Sequence, residues 1–221
     1  MSTRRGPKTE TSGLILCLDA ANTKSYVSGS SIWADISRNG NSGSLVNTPT
    51  FVSSSILMDG VNEYVDITTI DFRRTFTLEC WVNMTTVNNF SFFGQGTPSN
   101  SLGLHIQNVD TTGVKFAMFG NDTEVTPLTT AANTWYHYAF TYNHTSPYGK
   151  QLFRNGQELT GTEQQAQSQY AGTGNFRIGA TYSSSGSYGN GQFGMVKMYN
   201  RILTNAEVLQ SYTSFKSRYG L

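Results

Sequence analysis

Three acids, Asp59, Glu63 and Asp66, fall within eight positions of the stretch SILMDGVNEYVDI. Such a cluster suits a carboxylate pair for glycoside hydrolysis, a divalent cation, or the turn of a hairpin. The alternation that follows favours the turn. Asp59-Gly60 is a turn dipeptide: Asp caps its own turn and Gly supplies positive φ. Val61, Glu63, Val65 and Ile67 then alternate with Asn62, Tyr64 and Asp66, which sends Glu63 and Asp66 to opposite faces of one strand. Two carboxyls acting on one glycosidic bond must stand roughly 5 to 10 Å apart across it. One other acid, Glu79, sits beside Trp81 in a strand pattern, and a lone carboxylate has no partner for acid–base work. The chain contains no Glu-x-Asp-x-x-Glu, G-x-S-x-G, Walker loop or H-E-x-x-H. His105, His137 and His144 are far apart in sequence, and each is expected to be a satisfied sheet or loop residue. For calcium, which takes oxygens, the candidate donors are Asp59, Asn121, Asp122 and Glu124, with no specific loop spacing. No metal site and no cofactor is assigned. An aromatic platform with amides, as sugar binding needs, is offered by TYSSSGSYGNG, with Tyr182, Tyr188 and Asn190, and by Tyr148 in HTSPYGK. Tyrosines in such loops equally suit subunit contacts.

The elements that would position these residues are strands. With 221 residues the chain has room for one large β domain. Charged residues make up 13% and aromatics 13%, a composition of many short strands joined by polar turns rather than of disorder. Net charge is +1, so a nucleic acid is not expected as the main ligand. No apolar run approaches the roughly 18 residues of a membrane span, and no signal peptide follows Arg4 and Arg5. Assembly in a cytosol is therefore expected, with Cys17 and Cys80 as buried free thiols. Residues 1–12 read as a polar arm in which Arg4, Arg5 and Lys8 face only Glu10, and 13–221 as the domain.

GLILCLDA, 13–20, is a continuous apolar run, hence a buried strand. Residues 21–50 are loop-rich. In RTFTLECWVNM, Phe76, Leu78, Cys80 and Val82 share one face and Thr77, Glu79 and Trp81 the other. WYHYAFTYN divides in the same way. Asn155-Gly156 marks a hairpin, and a change of parity in QFGMVKMY predicts a bulge near Gly194. At the end, Thr204 and Glu207 form a capping box for a helix over about 204–216, with Val208, Leu209, Tyr212 and Phe215 on its inner side. About a dozen strands with turns at short intervals predict an all-β antiparallel sandwich.

GLILCLDA, WADISRNGN, SILMDGVNEYVDI, FTLECWV, WYHYAFTYN, LFRNGQ and YNRILTNAEVLQSY occur in one order over residues 13–219. In this the chain resembles laminin-G-like domains of the concanavalin A-like lectin superfamily. The resemblance implies a two-sheet jelly roll with a short C-terminal helix. It is similar in particular to stand-alone members encoded by tailed bacteriophages, which end in a tail like SRYGL. That likeness implies a non-catalytic structural protein of the virion, assembled in the host cytoplasm. It would bind copies of itself and other virion proteins, docked through the arm. The alternatives are a lectin for cell-surface glycans and, behind it, a glycoside hydrolase.

Overall fold

The computed structural model describes residues 9–68, 70–71, 74–145, 149–163, 168–182 and 186–221. Two antiparallel sheets face each other. The eight-stranded sheet runs Gln157–Leu159, Lys150–Arg154, Trp135–Tyr142, Phe76–Met84, Asn190–Tyr199, Ser55–Asp59 and Thr50–Val52. Leu14–Asp19 completes it by pairing the far half of Asn190–Tyr199. The nine-stranded sheet runs Thr162–Glu163, Asp122–Val125, Gly113–Ala117, Gly103–Asp110, Phe90–Gly96, Phe176–Ile178, Tyr64–Ile67, Gly43–Val46 and Ile32–Trp33. This is the all-β antiparallel sandwich expected from the alternating patterns, in the two-sheet jelly-roll form that the family resemblance implies.

Alternation sets which side chains meet between the sheets. Phe76, Leu78, Val82, Tyr138, Phe140 and Tyr142 point inward from one sheet, and Phe92, Phe93, Phe116 and Ile178 from the other. The rings interlock, with centroids 4.9 Å apart for Phe92–Tyr138 and 6.2 Å for Phe93–Phe140. Burying each such side chain stabilises the fold by about 1.5–3 kcal/mol. The register of Asn190–Tyr199 against Phe76–Met84 slips between Phe193 and Met195, the bulge expected near Gly194. At that point the strand changes its second partner from Ser55–Asp59 to Leu14–Asp19. Asn155 and Gly156 both have positive φ, 52° and 77°, as the hairpin signal requires. Cys17 and Cys80 are free and buried.

Three readings change. The loop-rich stretch 21–50 contains three short strands, Ile32–Trp33, Gly43–Val46 and Thr50–Val52. Two to four residues are too few to display a period. The helix spans Asn205–Phe215 and continues as a 3-10 turn over Lys216–Tyr219. Its capping box is present: the Thr204 hydroxyl accepts from the Glu207 N–H, and the Glu207 carboxylate accepts from the Thr204 N–H. Its buried residues are Val208, Ser211 and Phe215, whereas Leu209 is 40% exposed. The inner stripe centres on a serine because the surface it covers carries charges. Finally, residues 9–12 are tied to the body. The Tyr199 hydroxyl donates to the Glu10 carbonyl and Arg201 Nε to the Ser12 carbonyl. Arg4, Arg5 and Lys8 lie outside the described residues.

Candidate functional site

The acidic stretch is a turn. Asp59 Oδ1 accepts from Val61 N at 2.8 Å, Gly60 has φ +77°, and Glu63 Oε2 accepts from Asp59 N at 2.8 Å. Asp66 points to the outer face of the nine-stranded sheet. There it accepts from Asn175 Nδ2 at 2.6 Å and stands 3.7 Å from Arg177 Nε. The candidate calcium donors are likewise engaged with protein. Asn121 accepts from Lys150 Nζ, Asp122 accepts from Met118 N, and Glu124 stands 3.8 Å from Lys115. Among the described residues no group of three His, Cys, Asp or Glu is placed to share a metal ion.

On either side of residues 183–185, Gly179–Tyr182 and Gly186–Asn190 lie against the outer face of the nine-stranded sheet. A bridge between Ala180 and Tyr188 joins them, Gly189 N donates to the Gly179 carbonyl at 2.8 Å, and Ser91 Oγ donates to the Ser187 carbonyl at 2.8 Å. Gly94 makes the crossing feasible. A Cβ there would stand 2.4 Å from the Thr181 carbonyl carbon, so only glycine lets the two backbones pass this closely. Gly94→Ala is expected to lower stability by about 1–3 kcal/mol and to shift the Tyr182 and Tyr188 resonances. An NMR spectrum of the variant without changes at these tyrosines would refute the packing.

The two tyrosines do not form one platform. Tyr182 packs against Phe119 and His105, with centroids 5.0 Å and 5.7 Å away. Tyr188 lies beside Tyr64 at 6.3 Å, and the Arg177 guanidinium covers the Tyr64 ring at 4.7 Å. His105 and Tyr64 sit on strands three places apart in the sheet, about 14 Å at the usual spacing. Tyr148 lies outside the described residues.

Tyr188 and Asn190 do come together, in an open groove of about 340 Å³. Thr86, Asn88, Asn89 and Ser187 complete its wall. Asn88 and Asn89 belong to the turn between Phe76–Met84 and Phe90–Gly96. Asn89 adopts φ 52°, which asparagine tolerates better than most residues. The N–H groups of Thr85 and Thr86 both donate to the Asn190 carbonyl, at 2.9 and 3.2 Å, and so fix this turn against the other wall. The sequence reading missed Thr86, Asn88, Asn89 and Tyr64. The Asn-Asn pair was visible as a polar turn, but no spacing linked it to residues a hundred positions away.

A second convergence lies on the outer face of the eight-stranded sheet. Glu79 and Trp81 face away from the main core as expected, but the C-terminal helix covers them. Glu79 Oε2 accepts from Ser211 Oγ at 2.8 Å and stands 3.7 Å from Lys197 Nζ, which donates to Ser211 Oγ at 3.0 Å. Trp81 stacks on Tyr219 at 4.3 Å. Burial pushes the Glu79 carboxyl up, opposed by the Lys197 charge and the Ser211 hydrogen bond. His137 Nε2 is 3.7 Å from Glu79 Oε1, and neither ring nitrogen has a hydrogen-bond partner. His137 is thus not the satisfied residue expected. Burial, aided by the Lys197 charge, pushes its pKa down to about 3. The enclosure leaves no room for a water molecule, and among the described residues around it Glu79 is the one acid. This arrangement supplies no carboxylate pair.

With this geometry in hand, comparison with known proteins places the chain. A family model described as the concanavalin A-like lectin/glucanases superfamily matches residues 59–209. No curated protein matches by sequence. Among solved structures, a Trypanosoma rangeli sialidase in complex with 2,3-difluoro-KDN superposes with a TM-score of 0.72 at 17% identity, over 98% of this chain and 36% of the sialidase. The binding domain of Paraclostridial Mosquitocidal Protein 1 gives 0.68 at 14%, over 92% of this chain and 52% of that one. Domain 4 of AbnA, a GH43 extracellular arabinanase from Geobacillus stearothermophilus in complex with arabinotriose, gives 0.63 at 13%, over 90% and 98%. At these identities the likeness is one of fold. The family match covers most of the sandwich, and the chain belongs to the concanavalin A-like lectin/glucanase superfamily.

Proposed function

We propose that this chain is a non-catalytic carbohydrate-binding domain whose ligand lies in the groove of Asn88, Asn89, Tyr188 and Asn190. The observation that carries this reading is the makeup of that groove. Three side-chain amides and two hydroxyl residues surround one half-buried tyrosine ring. Each amide offers an acceptor and two donors, which matches sugar hydroxyls, and a ring face suits the apolar face of a sugar. A related fold in complex with arabinotriose supports the reading by analogy. Titration calorimetry with hits from a glycan array tests it. Tyr188→Ala and Asn88→Ala are each expected to weaken binding about tenfold or more, equivalent to roughly 1.4 kcal/mol. Binding that ignores both substitutions would overturn the assignment.

The way residues 9–12 leave the sandwich favours a second, compatible reading. Tyr199 and Arg201 anchor them at one place on the surface, and the basic Arg4, Arg5 and Lys8 precede that anchor. In this reading the arm docks the domain on copies of itself or on other proteins of a tailed-phage virion, in keeping with the segment order noted above. Light scattering of the full chain against a form starting at residue 9 tests it: assembly lost with the arm supports docking, and unchanged assembly refutes it.

A further inference from the structure

We propose that the groove selects an uncharged sugar and discriminates against acidic ones, such as sialic or uronic acids. This deepens the glycan reading above and rests on it. The residues lining the groove are Gly, Thr, Asn, Ser and Tyr, with no cation among them. A carboxylated sugar placed there meets amide dipoles but no charge-assisted donor, the strong partner that a carboxylate needs once water is displaced.

The charges around the groove act in the same direction. Gly60, part of the lining, sits in the turn that holds Asp59 and Glu63. The two carboxylates are fixed there. Glu63 accepts from Asp59 N, and Asp59 accepts from Val61 N and Asn62 N at 2.8 and 3.4 Å. They place negative charge at that rim, within the range over which exposed charges act at ordinary salt. Arg177 lies on this face over the Tyr64 ring, the neighbour of Tyr188, and is not part of the lining. Asp66 at 3.7 Å and the Tyr64 ring at 4.7 Å hold it. Releasing it would give up both contacts. An uncharged ring meets none of these obstacles. Its hydroxyls, both donors and acceptors, are met by Asn88, Asn89 and Asn190. A volume of about 340 Å³ lies at the small end of ligand sites and fits a short piece of glycan.

The test uses the full chain and matched pairs of oligosaccharides that differ in a single carboxylate, neutral against sialylated or uronic, titrated at low and high salt. The neutral member is expected to bind about tenfold tighter or more, with an affinity that salt does not change, and Tyr188→Ala is expected to abolish that binding. Asn88→Lys is expected to narrow or reverse the preference by adding the missing cation. Asn88 is exposed, so the fold tolerates the change, and Thr86→Lys serves as an independent check. An acidic member bound as tightly as its neutral partner, and lost in Tyr188→Ala, would overturn the charge selection while leaving the groove as a glycan site. No binding to any glycan, or binding indifferent to Tyr188→Ala, would overturn both.

Discussion

Replacing Lys197 with methionine is expected to lower the stability of the domain by about 3–5 kcal/mol at neutral pH. The reason is what the substitution leaves behind. Glu79 is 2% exposed, on the strand beside Lys197, and the two residues are direct cross-strand partners. Removing the cation leaves a carboxyl inside a dry enclosure with only neutral hydroxyl partners such as Ser211. Breaking a buried pair from one side is costly because the remaining charge has lost its compensation. Removing both sides is not: Glu79→Gln combined with Lys197→Met is expected to recover most of the loss, since the gap is then filled by neutral groups. The single variant should also carry a pH signature. Lys197 lowers the Glu79 pKa, so without it Glu79 takes up a proton at higher pH, and the deficit shrinks as the solution is made more acidic. Urea unfolding of the four members of this cycle from pH 8 to pH 5 measures all three statements. A single variant as stable as the parent would show that the pair contributes nothing.

The second large effect is acid sensitivity from His137. In the folded protein its pKa is about 3, against an ordinary 6.5. As the pH is lowered, the unfolded chain therefore binds a proton before the native state does. The stability tied to keeping this imidazole neutral is fully present above pH 6.5 and is lost as pH falls from there toward 3. The complete loss is about 4–5 kcal/mol, of which about 2 kcal/mol is gone at pH 5. Glu79 acts in the opposite sense, because a carboxyl with a raised pKa gains its proton in the native state first. The two contributions are separated by comparison with His137→Phe. The ring nitrogens have no partners, so an apolar ring in their place should be nearly neutral at pH 8. It should exceed the parent by about 2 kcal/mol at pH 5. A difference between parent and variant that does not change with pH would refute the assignment of the acid sensitivity to His137.

The helix over these groups explains why the face they occupy was only half readable. That Glu79, Trp81 and His137 point away from the Phe76–Phe140 core follows from alternation alone, since successive side chains of a strand take opposite faces. Nothing in their own strands says whether the outer face meets water. The answer lies far along the chain, where Ser211, Tyr212 and Tyr219 arrive to cover it. The apolar stripe read from the helix selected Leu209, which is 40% exposed, and passed over Ser211, which is buried. A polar residue at the centre of a buried stripe makes sense only once Glu79 and Lys197 are opposite it.

The sandwich was legible from local patterns alone. Period-two strands, the Asp59-Gly60 turn, the Asn155-Gly156 hairpin, the bulge at Gly194 and the Thr204–Glu207 capping box are local features. Each is set by backbone geometry or by neighbours within a few residues, so each could be read in place. Which loop residues meet depends instead on packing between distant strands. Gly94 lets the Ala180–Thr181 backbone pass over its strand, and beyond it Tyr182 meets Phe119 and His105 while Tyr188 meets Tyr64. The Asn190 carbonyl draws the Thr85–Thr86 backbone beside it and completes the groove with Asn88 and Asn89. Such contacts depend on loop closure between strands distant in the chain, and no period or motif in a single sequence encodes that closure.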